Sequence, residues 1–213
     1  MKHNTIPLFA LPLTHIDIEC DGIAEFFDSV VKQSKGRSNS DGTTGYKTPL
    51  THYYNDRNVF EIFDELKDLE GRILKASNFV YRDVMNHDTE LRITNAWFNE
   101  CEAGGRQYMH NHCNSVISGT LYLRTDERSH IQFQSPYGLN DFGNLLLDEP
   151  NINRPNRHGY SHHIKIATFK VDSGTCLLWP SHLRHGYDEN RTPGRLSLSF
   201  NLLPSTFNCV YKT

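Results

Sequence analysis

An alternating segment, Arg195–Leu203, constrains the fold of this chain more than any other part of it. Successive side chains of a β-strand point to opposite faces, so one face carries Arg195, Ser197, Ser199 and Asn201, and the other carries leucines and a phenylalanine. The apolar face suits a hydrophobic core. The polar face suits either a lined cavity or a solvated outer surface. The segment therefore predicts a strand that separates an apolar layer from a polar one.

Strand patterns recur through the second half of the chain. From residue 91 onward they cover residues 91–99, 116–124, 131–134, 163–171, 175–179 and 196–203. Asp172-Ser-Gly174 is typical of a tight turn between two of these strands. Helical patterns come first and strands afterwards. This order predicts a mainly β fold with supporting α-helices, built as an antiparallel sandwich or barrel.

The first ninety residues are expected to support this β-core. Residues 6–18 carry two prolines and suit an edge strand. Residues 22–35 have the apolar spacing of a helix. A longer helical pattern runs from about residue 55 to about residue 86, with Gly71 and Ser77 as candidate breaks.

Two polar stretches, residues 36–49 and 135–161, are expected to be loops. Residues 36–49 are either a lid over a site or a plain surface connection. Residues 135–161 form a loop long enough to be either functional, for example as a lid, or disordered. The length of the chain suits one domain. We therefore expect a single domain over residues 1–213, with the supporting part in about 1–90 and the β-core in about 91–213.

The composition argues against several classes of function. A formal net charge of −3, with both signs interspersed, gives no support for a broad nucleic-acid-binding surface. The five cysteines are scattered and odd in number, which favours a reducing compartment over a disulfide framework. No apolar run has the length of a membrane span or the position of a signal peptide. We expect a cytoplasmic protein without nucleic-acid or membrane partners, and the composition leaves a homodimer open.

Three histidines have the spacing of a metal site. His110 and His112 stand at i and i+2, so on a strand both imidazoles project to the same side and can bind one metal ion. His185, at a turn after an apolar strand, would supply a third ligand. Three ligands on one face of an octahedron leave positions for a bidentate co-substrate and dioxygen. Non-haem iron oxygenases commonly use two histidines and one carboxylate in this way.

No carboxylate has an obvious place beside these histidines. Asp188 and Glu189 continue the turn, while Glu100 and Glu102 precede the histidine pair. The spacing is therefore compatible with three histidine ligands, or with two histidines and a water molecule. A plainer interpretation, two exposed loop histidines and a third at a turn, has similar weight on spacing alone.

Arg195 indicates a bound anion. A buried arginine is costly unless a fixed anion pairs with it, and its planar guanidinium matches a carboxylate in bidentate fashion. Ser197 adds a hydroxyl group on the same strand face, so the two would hold the distal carboxylate of a short keto-acid. In the alternative interpretation, Arg195 pairs with Asp188 or Glu189 on the hairpin surface.

Two parts of the chain resemble the signatures of one protein family. His110-Asn-His-Cys-Asn-Ser-Val-Ile-Ser-Gly-Thr-Leu-Tyr-Leu123 is similar to the H-x-H-P-x-S-x-x-S-G-x-x-Y-Y/L segment of a family of 2-oxoglutarate/iron(II) oxygenases found in bacteria and phages. Leu178-Trp-Pro-Ser-His-Leu-Arg-His185 and Arg195-Leu-Ser-Leu-Ser-Phe-Asn201 resemble its F-P-S-W-L-x-H and R-x-S-x-S-F-N signatures. Three residues depart from the pattern, namely Cys113 for proline, His182 for tryptophan and Tyr187 for the common valine.

The resemblance implies a double-stranded β-helix (jelly-roll) core that binds Fe(II) and 2-oxoglutarate. It implies that the iron ligands come from His110, His112 and His185, and that Arg195, with Ser197 beside it, binds 2-oxoglutarate. His182 would be a competing ligand, but it stands at the position of the family's tryptophan. Tyr122 is either a further contact to 2-oxoglutarate or a core tyrosine bonded to backbone.

We therefore expect a 2-oxoglutarate-dependent dioxygenase that hydroxylates a peptidyl or free amino acid, or a related small substrate. Two other functions remain open. A cupin-like barrel would use the three histidines without a keto-acid and would not need Arg195. A non-catalytic binding module would present residues 138–161 to a partner, and it gives no reason for the histidine pair.

Overall fold

Two antiparallel β-sheets form most of the described part of the chain. The computed structural model describes residues 11–34, 36–40, 47–136 and 166–206. Its strands are β1 (Thr14–Asp17), β2 (Arg37–Ser40), β3 (Lys47–Tyr53), β4 (Leu91–Cys101), β5 (Gln107–His110), β6 (Ile117–Arg124), β7 (His130–Gln134), β8 (Ile166–Lys170), β9 (Thr175–Pro180), β10 (His185–Tyr187) and β11 (Arg195–Pro204). A seven-stranded sheet has the order β1-β9-β6-β11-β4-β3-β2, and a four-stranded sheet has the order β5-β10-β7-β8.

Helices cover the outer face of the seven-stranded sheet. They are α1 (Ile23–Ser29), α2 (Val59–Ile62) and α3 (Lys67–Phe79), with 3-10 turns at Val31–Gln33 and Asp64–Leu66 and a π-helical turn at Val80–Val84. Phe27 and Ile73 from the helices share one buried cluster with Phe98, Leu198 and Phe200 from the sheet. The apolar face of β11 therefore packs against the helices, as its alternation predicts. No helix in the described ranges is both long and apolar enough to span a membrane.

A second, smaller cluster joins the two sheets. Tyr122, Leu177 and Trp179 from the seven-stranded sheet pack against Ile131 and Phe133 from the four-stranded sheet. The rings of Trp179 and Phe133 meet edge-on, with centroids 5.2 Å apart. The mainly β architecture with supporting α-helices is confirmed, and the polar face of β11 points toward the space between the sheets.

The predicted strands from residue 91 onward correspond to β4, β6, β7, β8, β9 and β11. Residues 163–165 of the fourth prediction lie outside the described residues. The edge strand expected over residues 6–18 is β1, which covers Thr14–Asp17 and lies at the edge of its sheet. Residues 6–10 lie outside the described residues. Gly174, in the predicted turn, has φ of +87°, a conformation that glycine adopts without steric cost.

The long helical pattern is interrupted at a different place from the one predicted. Gly71 and Ser77 lie inside α3 and do not break it. The interruption is at Phe63, which has extended backbone angles between α2 and the next 3-10 turn. Leu69 and Ile73 are buried on either side of Gly71. Their burial offsets the cost of about 1 kcal/mol that an interior glycine imposes on a helix.

The prediction of a loop over residues 36–49 is wrong at both ends of this range, where strands form. Residues 37–40 form β2 and residues 47–53 form β3, and the two strands pair at one edge of the seven-stranded sheet. β3 also pairs with β4, so backbone hydrogen bonding overrides the polar, turn-rich composition. Residues 41–46 lie outside the described residues. Most of the expected 135–161 loop lies outside them too, so its role as a lid stays a prediction.

Candidate metal centre

The three predicted histidines converge on one point. His110 ends β5 and His185 begins β10, and the two residues are direct partners across this antiparallel pair. His112 lies beyond the end of β5, where its backbone N–H donates to Ser181 O at 2.9 Å. One ring nitrogen from each histidine lies within 4.8 Å of the other two. His110 and His112 do not share a strand. The three rings are instead brought together by the pairing of β5 with β10 and by the backbone contact between His112 and Ser181.

Each imidazole is oriented through its Nδ1 atom. The Nδ1 atoms of His110 and His185 lie 2.9 Å from Tyr108 O and 3.0 Å from Leu183 O. A carbonyl oxygen only accepts, so each Nδ1 carries the proton and each Nε2 keeps a lone pair for a metal ion. Such partners are typical of metal-binding histidines.

Burial keeps the three imidazoles neutral. It lowers the pKa of His110 to about 4, and it lowers the pKa of His112 as well. The pKa of His185 is lowered to about 3, first by burial and then by the nearby His110. A neutral imidazole is the form that binds a metal ion. The group therefore has the protonation state, as well as the spacing, of a ligand set.

No carboxylate joins the histidines within the described ranges. Glu100 is bound by Lys32 and by the Tyr53 hydroxyl. Glu102 accepts from the backbone N–H of Gly194 at 3.0 Å. His182 is exposed and lies outside the cluster. Of the ligand sets that the sequence left open, the geometry favours three histidines.

A cavity of about 260 Å³ extends from the histidines to Arg195. The polar face of β11 lines it with Ser197 and Ser199, and Tyr122 lines it from β6. On β4, Asn99 Nδ2 donates to Ser199 Oγ at 2.9 Å. The lining contains a single charged side chain and no carboxylate, within the part of the chain that is described. The polar strand face is therefore a cavity wall and not a solvated surface.

Arg195 is a buried cation that has no acidic partner in the described part of the chain. The residue is 4% exposed. Its Cζ lies 4.3 Å from the ring centroid of Tyr187 and 5.3 Å from that of Tyr122. Among the described residues no carboxylate forms an ion pair with it. The alternative partners are engaged elsewhere, Asp188 with His130 at 3.5 Å and Glu189 with Arg191 at 3.5 Å. The hairpin pairing of Arg195 considered from the sequence is therefore wrong.

Two tyrosines face the guanidinium as neutral phenols. Burial raises the pKa of Tyr122 to about 12, although the neighbouring Arg195 acts in the opposite direction. Burial also raises the pKa of Tyr187 well above its usual value. A neutral phenol can donate a hydrogen bond to an anion. The cavity thus offers a guanidinium, a Tyr122 hydroxyl and a Ser197 hydroxyl, a set of donors that fits a carboxylate.

Several residues of this site have little signal in the sequence. Tyr187 differs from the valine common in the family, yet it stacks on Arg195. The strands β5 and β10 have four and three residues, too few to show a period of two. Ser118 and Ser181 contact His112, and their only sequence signal is their place in the family signatures.

Residues 95–201, about half of the chain, match the family described as "Putative 2OG-Fe(II) oxygenase". All three histidines and Arg195 lie in the matched range. No curated protein is significantly similar to this chain in sequence. The family match thus includes the three histidines, Arg195, Ser197 and Tyr122.

Solved structures resemble this fold at low sequence identity. A 2OG-Fe(II) oxygenase family oxidoreductase from Burkholderia pseudomallei has a TM-score of 0.56 and 14% identity, and the match covers 89% of this chain and 84% of that chain. HygX from Streptomyces hygroscopicus, with nickel, 2-oxoglutarate and hygromycin B bound, has a TM-score of 0.57 and 16% identity over 92% and 84% of the two chains. The α-ketoglutarate-dependent epimerase SnoN from nogalamycin biosynthesis has a TM-score of 0.60 and 14% identity over 91% and 79%. This likeness supports a jelly-roll core.

Proposed function

This chain belongs to the 2OG-Fe(II) oxygenase family, and from that premise we propose that it is an Fe(II)- and 2-oxoglutarate-dependent oxygenase. His110, His112 and His185 would hold the iron. Arg195, Ser197 and Tyr122 would bind 2-oxoglutarate. The proposed reaction is hydroxylation of a peptidyl or free amino acid, or of a related small substrate. HygX, with hygromycin B bound, supports the choice of a small substrate.

One observation carries the proposal: a buried arginine, which has no carboxylate partner among the described residues, shares a cavity with three neutral, convergent imidazoles. A buried and unpaired cation destabilises a fold unless a ligand anion compensates it. The three Nε2 atoms are neutral donors of the kind that iron(II) accepts. The same cavity therefore fits both a metal ion and a dicarboxylate.

The side chains would bind, orient and exclude water. The guanidinium of Arg195 would take the distal carboxylate in bidentate fashion, with donors from Tyr122 and Ser197 beside it. Backbone carbonyls hold His110 and His185 in one tautomer, so both present a lone pair toward the cavity. Leu50 and Ile131 add apolar surface to the lining. Bound iron and 2-oxoglutarate supply the oxidising chemistry in this family of reactions, and the protein supplies position and a dry pocket.

The two other functions considered from the sequence leave parts of this cavity without a purpose. A cupin-like enzyme without a keto-acid would have no use for a buried Arg195. A non-catalytic module would have no use for three imidazoles with their Nδ1 atoms all engaged. SnoN is named an epimerase, so the fold also hosts an outcome other than hydroxylation. Incorporation of ¹⁸O from ¹⁸O₂ into the product separates hydroxylation from epimerisation.

Replacing one iron ligand tests the proposal. His185→Ala should abolish iron-dependent conversion of 2-oxoglutarate to succinate, because two imidazoles no longer define a face of the coordination sphere. The measurement is succinate formation with Fe(II) and ascorbate across a panel of amino acids, peptides and small molecules. His182→Ala is the matched control, since His182 is exposed and lies three residues away. Unchanged succinate formation by His185→Ala would remove the assignment of His185.

A further inference from the structure

Serine and asparagine side chains from three strand regions meet around His112. Ser118 lies on β6, Ser181 follows β9, and Asn201 lies on β11 directly opposite Ser118. All three are buried. Ser115, in the loop after His112, is their fourth member. We call these four residues the His112 cage. Each belongs to one of the family signatures, and none has a role in the proposed ligand set.

Short contacts connect the cage to the imidazole. His112 Nδ1 lies 2.6 Å from Asn201 Oδ1 and 3.0 Å from Ser118 Oγ. Ser118 Oγ lies 3.1 Å from Asn201 Oδ1 and 2.9 Å from Ser181 Oγ. Ser115 Oγ donates to Ser181 Oγ at 2.8 Å. The amide oxygen of Asn201 is thus the point on which the imidazole and two hydroxyls converge.

The cage determines which nitrogen of His112 is available. An amide oxygen accepts and does not donate, so at 2.6 Å it requires the proton to be on His112 Nδ1. The opposite tautomer would place two lone pairs against each other. Nε2 therefore carries the free lone pair, as in the other two histidines.

His112 needs this support because of its place in the chain. His110 and His185 lie on paired strands, and backbone carbonyls accept from their Nδ1 atoms. His112 lies outside any strand, and its Nδ1 contacts side chains instead. Ser181 contributes twice, since its carbonyl accepts the backbone N–H of His112 and its hydroxyl supports Ser118.

We propose that Asn201 and Ser118 are positioning residues that fix the Nδ1–H tautomer of His112 and direct its Nε2 toward the metal. The inference rests on the proposed function, because it assumes that His112 binds a metal ion. It deepens that proposal by assigning a role to signature residues that touch neither metal nor 2-oxoglutarate. A purely structural role for the cage predicts lower stability without any change in metal affinity.

Cobalt(II) binding to the metal-free full chain separates the two roles. The dissociation constant is obtained by titration of the Co(II) d–d absorption, and Tm is recorded separately without metal. Asn201→Ala should weaken Co(II) binding about 10- to 100-fold, the usual effect of losing the partner of a ligand histidine. Asn201→Asp keeps an acceptor for His112 Nδ1–H and should bind Co(II) within a few-fold of wild type.

Two further variants keep the experiment decisive. Asn78→Ala is the matched control, because it also removes an amide oxygen that accepts a partly buried hydrogen bond, here from the backbone N–H of Leu91, and Asn78 belongs neither to the histidine group nor to the cavity lining. It should lower Tm and leave Co(II) affinity unchanged. Ser118→Ala removes the hydroxyl between Asn201 and Ser181, and it should weaken Co(II) binding several-fold. It decides the question if Asn201→Ala does not fold.

The outcomes distinguish this inference from the proposed function. Wild-type Co(II) affinity in Asn201→Ala, or in Ser118→Ala where the former does not fold, would overturn the inference. So would an equal loss of affinity in Asn201→Ala and Asn201→Asp, because Asp retains an acceptor for His112 Nδ1–H and loss of that acceptor could not then explain both. Wild-type protein that binds Co(II) but never converts 2-oxoglutarate would overturn only the proposed function. Wild-type protein that binds no Co(II) would overturn both.

Discussion

At the scale of single residues, Arg195 combines two unfavourable features, since it is buried and has no acidic partner among the described residues. Aromatic faces on two sides compensate part of this cost, because a guanidinium over a tyrosine ring gains about 0.5–2 kcal/mol. Arg124, on the neighbouring strand β6, pairs with Asp28, whereas Arg195 faces the cavity. A ligand anion is the simplest reason for keeping it.

Replacing Arg195 should therefore weaken 2-oxoglutarate binding without lowering the stability of the ligand-free protein. Arg195→Met should weaken 2-oxoglutarate binding to the Co(II)-loaded protein roughly 10- to 100-fold, since hydrogen bonds to charged groups contribute about 1.5–3 kcal/mol. The Tm of the ligand-free protein should stay the same or rise, because an unpaired buried charge is removed. Isothermal titration with 2-oxoglutarate and thermal unfolding measure the two effects.

Arg191→Met is the control for this pair of measurements. Arg191 is exposed and pairs with Glu189, so its loss should change neither quantity. Arg195→Lys keeps the charge without the planar fork and should bind 2-oxoglutarate with intermediate affinity. Unchanged 2-oxoglutarate affinity in Arg195→Met would contradict the assignment of Arg195.

At the scale of elements, the close approach of β5 to β10 brings His110 to His185. Gly186 makes this approach possible. A Cβ atom at this position would lie 2.4 Å from Gln107 O and 3.0 Å from Tyr108 O. Tyr108 O is also the acceptor for His110 Nδ1. A side chain at position 186 therefore cannot be accommodated without moving the strand that carries a ligand and its partner.

Gly186→Ala should impair the metal site through this displacement. We expect Co(II) affinity to fall at least tenfold and the free energy of unfolding to fall by about 1–3 kcal/mol, the usual cost of overpacking. Gly71→Ala is the control, because a Cβ there meets nothing within 4 Å. That helical substitution should stabilise the protein by about 0.5–1 kcal/mol and leave Co(II) affinity unchanged. Normal Co(II) affinity in Gly186→Ala would show that β5 does not need this close contact.

At the scale of the whole molecule, the candidate centre lies between the two sheets. The four-stranded sheet contributes His110 and His185, and the seven-stranded sheet contributes Arg195 and Ser197. A small buried cluster around Trp179 and Phe133 also joins the two sheets. Ligands bound in the cavity would therefore add a further connection between the layers.

Metal binding should consequently raise thermal stability. A ligand that binds only the folded state at about 100 times its dissociation constant stabilises it by about 2.7 kcal/mol. For a chain of this size that corresponds to a Tm increase of roughly 5–10 °C. Thermal unfolding with EDTA and with Co(II) measures the difference, and His185→Ala should show none of it. An equal increase in that variant would mean that Co(II) binds elsewhere.

The sequence by itself determined the properties that depend on local period and residue type. The two faces of β11 follow from a period of two, and the family signatures identified His110, His112, His185 and Arg195. Only the tertiary structure decided how they meet. β5 and β10 are too short to have a readable pattern, and β2 and β3 form where composition indicated a loop.

Long-range pairing decided the rest of the centre as well. The absence of a carboxylate among the described histidine neighbours, the stacking of Tyr187 on Arg195 and the cage around His112 all join residues from different strands. Local pattern specifies which face of a strand is polar, because side-chain direction alternates along one backbone. It cannot specify which strands become neighbours, since that depends on the free energy of packing the whole chain.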